Sequence, residues 1–180
     1  MALRKASAYS KRPARPYTRK SNKKSKAYIK TIPQNRIVKF NMGDQRAFLD
    51  GKHACVLRLV ADEDVQIRDN ALEAARLLIN KSLDKLAQGN YFFAVKVYPH
   101  HILRENKAAG GQAGADRLST GMKHSFGVTI GRAAIVKRGK EILFVSCTNE
   151  NIARNVRKVL EKAKAKFPCR TKIVFEKLGS

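Results

Sequence analysis

The chain has 180 residues, enough for one compact core with an appendage. Its 38 Lys and Arg against 14 Asp and Glu leave a formal charge of +24, a field that attracts polyanions and opposes self-association. Nucleic acid is the expected partner, because each neutralised phosphate releases counterions. A membrane is not: no basic amphipathic helix carries a bulky aromatic face, and no stretch nears the roughly 20 apolar residues of a span.

Residues 1–30 contain eleven Lys or Arg and no acid. Pro13 and Pro16 discourage a helix, and Tyr9, Tyr17 and Tyr28 are interleaved with the charge. Aromatic faces stack on bases while cations follow the backbone, so this stretch reads as an extended arm that orders on a nucleic acid. It lacks the apolar segment of a secretory signal.

From Thr31 the composition changes. Ile32-Pro33, Ile37-Val38 and Phe40 suggest short extended pieces ending near Gly43. Half of the acids lie between Asp44 and Glu73, so this surface is expected to turn away from the polyanion. Ala54–Val60 reads as a strand. Ala71, Leu72, Ala75, Leu78, Ile79, Leu83 and Leu86 then form one helical stripe. Asp62, Glu63 and Asp64 lie upstream, where carboxylates suit a helix N-terminus, and Gly89 supplies a stop.

Tyr91–Tyr98 is rich in aromatic and β-branched residues and reads as a strand ended by Pro99; His101–Glu105 continues it. Beyond a glycine-rich interruption come extended pieces at Phe126–Ile130 and Arg132–Lys137. Arg138-Gly139 suits a hairpin turn. Glu141–Cys147 follows, and Ile142-Leu143-Phe144-Val145, apolar on both faces, predicts a central strand. Thr148 or Asn149 suits a helix cap. Ile152, Val156, Val159, Leu160, Ala163 and Phe167 face the core of a second helix, while Arg154, Arg157, Lys158, Lys162 and Lys164 take its other side. Pro168 ends it, and Thr171–Phe175 returns as a strand. The expectation is α+β: a mixed sheet covered by two main helices, with a basic extended N-terminal arm and a long Gly-rich loop.

Catalytic chemistry finds little support. Gly110, Gly111 and Gly114 are not spaced as GxxxxGK[ST], and no GxGxxG occurs. His53 and Cys55 have no second ligand pair at zinc spacing, and successive strand residues such as His100 and His101 point to opposite faces. Cys55, Cys147 and Cys169 are odd in number, far apart and without CxxC, which suits free thiols in a reducing compartment. Asp116 beside Arg117 suits a local ion pair. Residues 107–123 show no helical or strand period and are rich in small residues. A loop this long inside a domain is commonly functional, and Gly and Ala allow close backbone approach to a bulky partner.

Seven stretches carry a resemblance in one order along nearly the whole chain: "RPYTRK", "IPQNRIVKFNMG", "ALEAARLLINK", "FFAVKVYPHHILRENK", "AGADRLSTGM", "SFG" and "AKAKFPCRTKIVFEK". AGADRL with TGM is the most specific. The chain resembles the universal large-subunit ribosomal protein family called L-sixteen in bacteria and L-ten-e in archaea and eukaryotes, and looks like the archaeal–eukaryotic branch.

That resemblance implies an α/β-hammerhead-like fold, no enzymatic activity and no cofactor or metal. It implies a cytoplasmic place in the large subunit, with rRNA, tRNA and neighbouring ribosomal proteins as partners and no membrane or small-molecule substrate. The arm, residues 1–30, is expected to bind rRNA through Arg4, Lys5, Lys11, Arg12, Arg15, Tyr17, Arg19, Lys20, Lys23 and Lys24. Residues 31–180 are expected to form one globular domain with a tRNA-facing loop at 106–123. That loop, with the strand end before it, offers Arg104, Lys107, Gly110, Gly111, Gln112, Ala113, Gly114, Ala115, Asp116, Arg117, Met122 and Lys123. The "KSNKKSKAY" stretch departs from the family pattern. The alternatives are a non-ribosomal RNA-binding or DNA-binding module and an RNA-modifying enzyme; the enzyme needs convergent acid–base groups or a cofactor fingerprint that the sequence does not display.

Overall fold

A computed structural model describes residues 10, 15–21, 23, 29–105 and 127–178. In chain order its elements are β1 (Asn41–Gly43), α1 (Gln45–Leu49), β2 (Cys55–Ala61), β3 (Val65–Arg68), α2 (Asp69–Leu86), β4 (Tyr91–Val95), β5 (His101–Glu105), β6 (Val128–Val136), β7 (Glu141–Cys147), α3 (Glu150–Lys164) and β8 (Thr171–Lys177). The class is α+β, as expected. The single mixed sheet is corrected to two sheets, one ordered β1-β4-β7-β2-β8 and the other β3-β6-β5, and every pairing among the described residues is antiparallel. The reason lies in the crossovers. α3 connects β7 to β8, yet β2 is inserted between them, so the two strands run alike without touching. α2 likewise leaves one sheet at β3 and delivers the chain to the other at β4.

Alternation along the strands sorts the larger sheet into two faces. Leu57, Leu59, Phe93, Leu143 and Val145 join Leu72, Ile79 and Leu83 of α2 and Val156, Leu160 and Ala163 of α3 in one core. That core also reaches β3 and β6 through Ile67 and Val136. Val56, Phe92, Ala94 and Phe144 form a smaller cluster on the opposite face, covered by Phe48 of α1. β7 is central, flanked by β4 and β2, which explains its two apolar faces.

α1 has no counterpart in the sequence reading, although its signal is present. The Asp44 side chain caps it by accepting the Ala47 N–H at 3.0 Å. Gly43 precedes it with φ +82°, and a Cβ there would lie 2.3 Å from the Tyr91 carbonyl oxygen, so only glycine fits this approach. Gly139, also at positive φ, completes the expected β6–β7 hairpin turn.

Other expectations need adjustment. Asp62, Glu63 and Asp64 do not open α2, because β3 intervenes; the acid of its first turn is Asp69. Leu86 is 48% exposed and leaves the buried stripe. α2 ends at Leu86 with Ala87 as its C-cap, two residues before Gly89. Asn149 is the N-cap of α3 without a side-chain capping bond. The pieces foreseen around Gly131 are one nine-residue strand, β6, and the strand from Tyr91 stops at Val95.

Residues 29–40 form a strap with no strand ladder. It is held mostly by side chains. Thr129 Oγ1 donates to the Thr31 carbonyl at 3.0 Å, and Arg132 Nε donates to that of Pro33 at 2.7 Å. The Arg36 N–H donates to Asp69 and the Val38 N–H to Glu73. Val95 then donates its N–H to the Phe40 carbonyl at 2.8 Å. The strap therefore crosses from the three-stranded sheet, over the start of α2, to the five-stranded sheet.

Candidate nucleic-acid interface

The arm meets the fold at β5. Tyr17 donates its backbone N–H to His101 Nδ1 at 3.0 Å and accepts the Ile102 N–H at 3.0 Å. β5 is an edge strand, and these bonds occupy backbone groups that an open edge would expose. His101 is buried, and burial pushes its pKa below the ordinary 6.5, with the Arg104 charge acting the same way. The imidazole is thereby kept neutral, the form in which Nδ1 accepts a hydrogen bond.

Arg104 closes the same contact from above. Its guanidinium carbon lies 3.8 Å from the centre of the Tyr17 ring, a close cation–π arrangement. The pairing register shifts between Leu103 and Arg104, where Leu103 faces Gly131 but Arg104 faces Thr129, leaving Ile130 as the extra residue. A bulge of this kind bends the strand and re-aims its side chains. The half-buried Tyr17 ring thus has one face under a cation, and the residue anchors the arm to the fold.

The remaining sequence candidates divide clearly. Arg15, Arg19 and Lys23 are exposed, while Lys20 is half-buried. Arg4, Lys5, Lys11, Arg12 and Lys24 lie outside the described residues, as do Lys107, Gly110, Gly111, Gln112, Ala113, Gly114, Ala115, Asp116, Arg117, Met122 and Lys123. Among the described candidates the structure brings Tyr17 and Arg104 together. Arg104 stands one residue before the end of β5, after which the glycine-rich segment begins.

The acids of residues 44–73 are drawn into local contacts. Asp62 holds Lys172 at 2.9 Å and Arg138 at 3.6 Å, and Glu63 holds Arg170 at 3.7 Å. The Asp64 carboxylate accepts the Arg138 N–H at 2.7 Å. Glu73 takes two bonds from Arg76, which hold its carboxyl below the ordinary 4.5. The cysteines offer no nucleophile: burial raises Cys147 to about 12 and Cys169 to about 11, and also raises Cys55. Such thiols stay protonated at neutral pH.

Residues 13–174 match the family described as Ribosomal protein L16p/L10e. The chain belongs to that family. It is 40% identical over 178 residues to the large ribosomal subunit protein uL16 of Methanococcus aeolicus, covering 98% of this chain and 96% of the relative. The protein of the same name from Archaeoglobus fulgidus is 44% identical over 175 residues, covering 97% and 94%. That from Staphylothermus marinus is 42% identical over 179 residues, covering 99% and 96%. The archaeal likeness agrees with the branch that the sequence resembles, and the family match takes in Tyr17, His101, Arg104 and α3.

Two residues of this region escaped the sequence reading. His101 was weighed there only with His100 as a possible metal ligand, and its bond to residue 17 has no local signature. Arg132 joins the Pro33 carbonyl and, at 3.2 Å, the Tyr98 hydroxyl. Its only sequence signal is a charge inside an otherwise apolar strand.

Proposed function

We propose that this L16p/L10e-family protein is a structural constituent of the large ribosomal subunit, that its arm binds rRNA, and that its 106–123 loop helps position tRNA near the aminoacyl and peptidyl sites of the peptidyl-transferase centre. A structural ribosomal role follows from the family. The finer reading is carried by the clamp of Tyr17 on β5: the polybasic arm is fastened to the strand from which the loop departs. An anchor at that point transmits arm–rRNA contacts to the base of the loop. Residues 31–180 act in this reading as one scaffold that holds both elements, and the loop works by shape and charge without catalysis.

Deleting residues 109–119 tests the loop. Subunits carrying the shortened protein are expected to contain it stoichiometrically but to elongate slowly and hold tRNA weakly. Normal elongation and tRNA affinity would reduce the loop to a spacer. Binding of the intact protein to large-subunit rRNA is expected to weaken by about 0.7–0.9 log units per contacted phosphate per decade of salt; salt-insensitive binding contradicts the proposal. Parity of affinity for duplex DNA would favour a free DNA-binding module.

A further inference from the structure

The cations of this chain are not treated alike by its fold. Around the β2–β3 turn, Arg138, Arg170 and Lys172 are each matched by Asp62 or Glu63. On α3 the two acids are already engaged: Glu150 pairs with Lys177 at 2.7 Å and Glu161 with Arg157 at 3.7 Å. Arg154, Lys158, Lys162 and Lys164 remain. Lys164 is half-buried; Arg154, Lys158 and Lys162 are exposed, and no ion pair joins these three to an acid among the described residues, although the Glu150 charge acts on Arg154.

Their spacing is four residues each, which puts them in one row on the helix surface. At a 1.5 Å rise per residue the row is about 12 Å long. Like charges at this spacing repel one another and weaken an isolated helix. Burial of Ala153, Val156, Val159, Leu160 and Ala163 on the opposite side holds α3 in place despite them. Asn151 and Asn155 flank the row, both exposed, and no aromatic residue lies within the helix. A line of cations without a stacking platform suits a line of phosphates, and contacts of this kind position a protein without reading sequence.

We propose that the outer face of α3 is a second rRNA-binding surface, separate from the arm and the loop, in which Arg154, Lys158 and Lys162 lie along the sugar–phosphate backbone of one RNA segment. The inference rests on the RNA-embedded reading above and adds to it a face that the sequence candidates did not include. Complementary charge selects the occupant.

The test uses the full chain, deproteinised large-subunit rRNA and two triple variants that remove equal charge. One is Arg154→Gln with Lys158→Gln and Lys162→Gln; the other is Arg138→Gln with Arg170→Gln and Lys172→Gln. Circular dichroism establishes that each is folded, and affinity is measured across a salt series. The α3 variant is expected to bind at least tenfold more weakly, with a log–log salt slope shallower by about 2, while the second variant stays near wild type. Equal losses in both would make the effect one of net charge and overturn the proposal. An α3 variant with unchanged affinity and slope would also overturn it. So would normal rRNA binding with lost incorporation into protein-containing subunits, which would assign the face to a neighbouring protein. If the wild type itself binds rRNA without salt dependence, the broader reading fails instead.

Discussion

Tyr17 and His101, 84 positions apart, are joined by a hydrogen bond that requires the imidazole to be neutral. Replacing His101 with Phe keeps a ring but removes the acceptor, leaving a part-buried N–H without its partner. The expected cost is about 1–2 kcal/mol, read as a lower urea midpoint with an unchanged slope.

The same bond gives a pH dependence of defined sign. His101 is depressed below 6.5 in the fold by burial and then by Arg104, so the unfolded chain binds the extra proton more readily. The stabilisation is fully present above 6.5 and is lost as pH falls through the lower folded value. His53 contributes with the same sign, because burial lowers it against the opposing charge of Asp44. Urea midpoints of the wild type should therefore drop as pH falls below 6.5, and those of His101→Phe should drop less. Parallel profiles for the two proteins would count against this bond as a source of the effect.

Asp69 and Glu73, one turn apart on α2, should titrate in opposite directions. Burial raises Asp69 above its ordinary value despite N–H bonds from Arg36 and Asn70, whereas the Arg76 bonds lower Glu73. Ionised Glu73 stabilises the fold above 4.5, and this is lost as pH falls through its depressed value. Ionised Asp69 carries a burial penalty that disappears as pH falls from its raised value through its ordinary one. Glu73→Gln should cost about 1–2 kcal/mol at neutral pH. Asp69→Asn removes the burial penalty of the charge but replaces one of the two accepting oxygens with an NH2 facing the Arg36 or the Asn70 N–H, so it too should cost about 1–2 kcal/mol. Side-chain carboxyl titration by NMR checks the directions, and denaturant melts check the costs.

Gly43 and Gly89 separate backbone strain from collision. Both have positive φ, but a Cβ at Gly89 meets nothing within 4 Å, whereas at Gly43 it meets the Tyr91 carbonyl. Gly89→Ala should cost about 1 kcal/mol, and Gly43→Ala clearly more, about 3 kcal/mol with forced displacement of β1 from β4. Thermal melts of the two variants should differ accordingly.

Phe93 is fully buried between the five-stranded sheet and its helices. Phe93→Ala should remove about 3–5 kcal/mol, measured in the same melts. Leu77→Ala, at a position 54% exposed on α2, should change stability by less than about 1 kcal/mol.

The parts of the fold legible in the sequence are those encoded by local period. The stripe Leu72, Ala75, Ile79, Leu83 and the stripe Ile152, Val156, Leu160, Ala163 repeat every turn, and Ile142–Val145 carries its central position in its two apolar faces. The strap was visible only as fragments, because its hydrogen bonds go largely to side chains such as Arg132, Asp69 and Glu73. β3 was hidden because Val65–Arg68, although it alternates, is only four residues long and follows three acids. The two-sheet division depends on which strand β2 separates, a long-range choice with no local trace. For the interface, the arm was evident from charge, but Tyr17 gave no sign that its ring would meet Arg104. The α3 row showed only as part of the cationic side of the second helix, since a sequence does not show which cations its acids neutralise.

The strap and the Tyr17 clamp also fix an order of events in folding. Tyr17 waits for residue 101, Thr31 for residue 129 and Pro33 for residue 132. A chain made from its N-terminus must therefore complete more than half of its length before Tyr17 acquires its partner, and more than two-thirds before Thr31 and Pro33 acquire theirs. Contacts so distant in sequence close slowly, and during that interval the polybasic segment is an unseated polycation in a cell full of RNA.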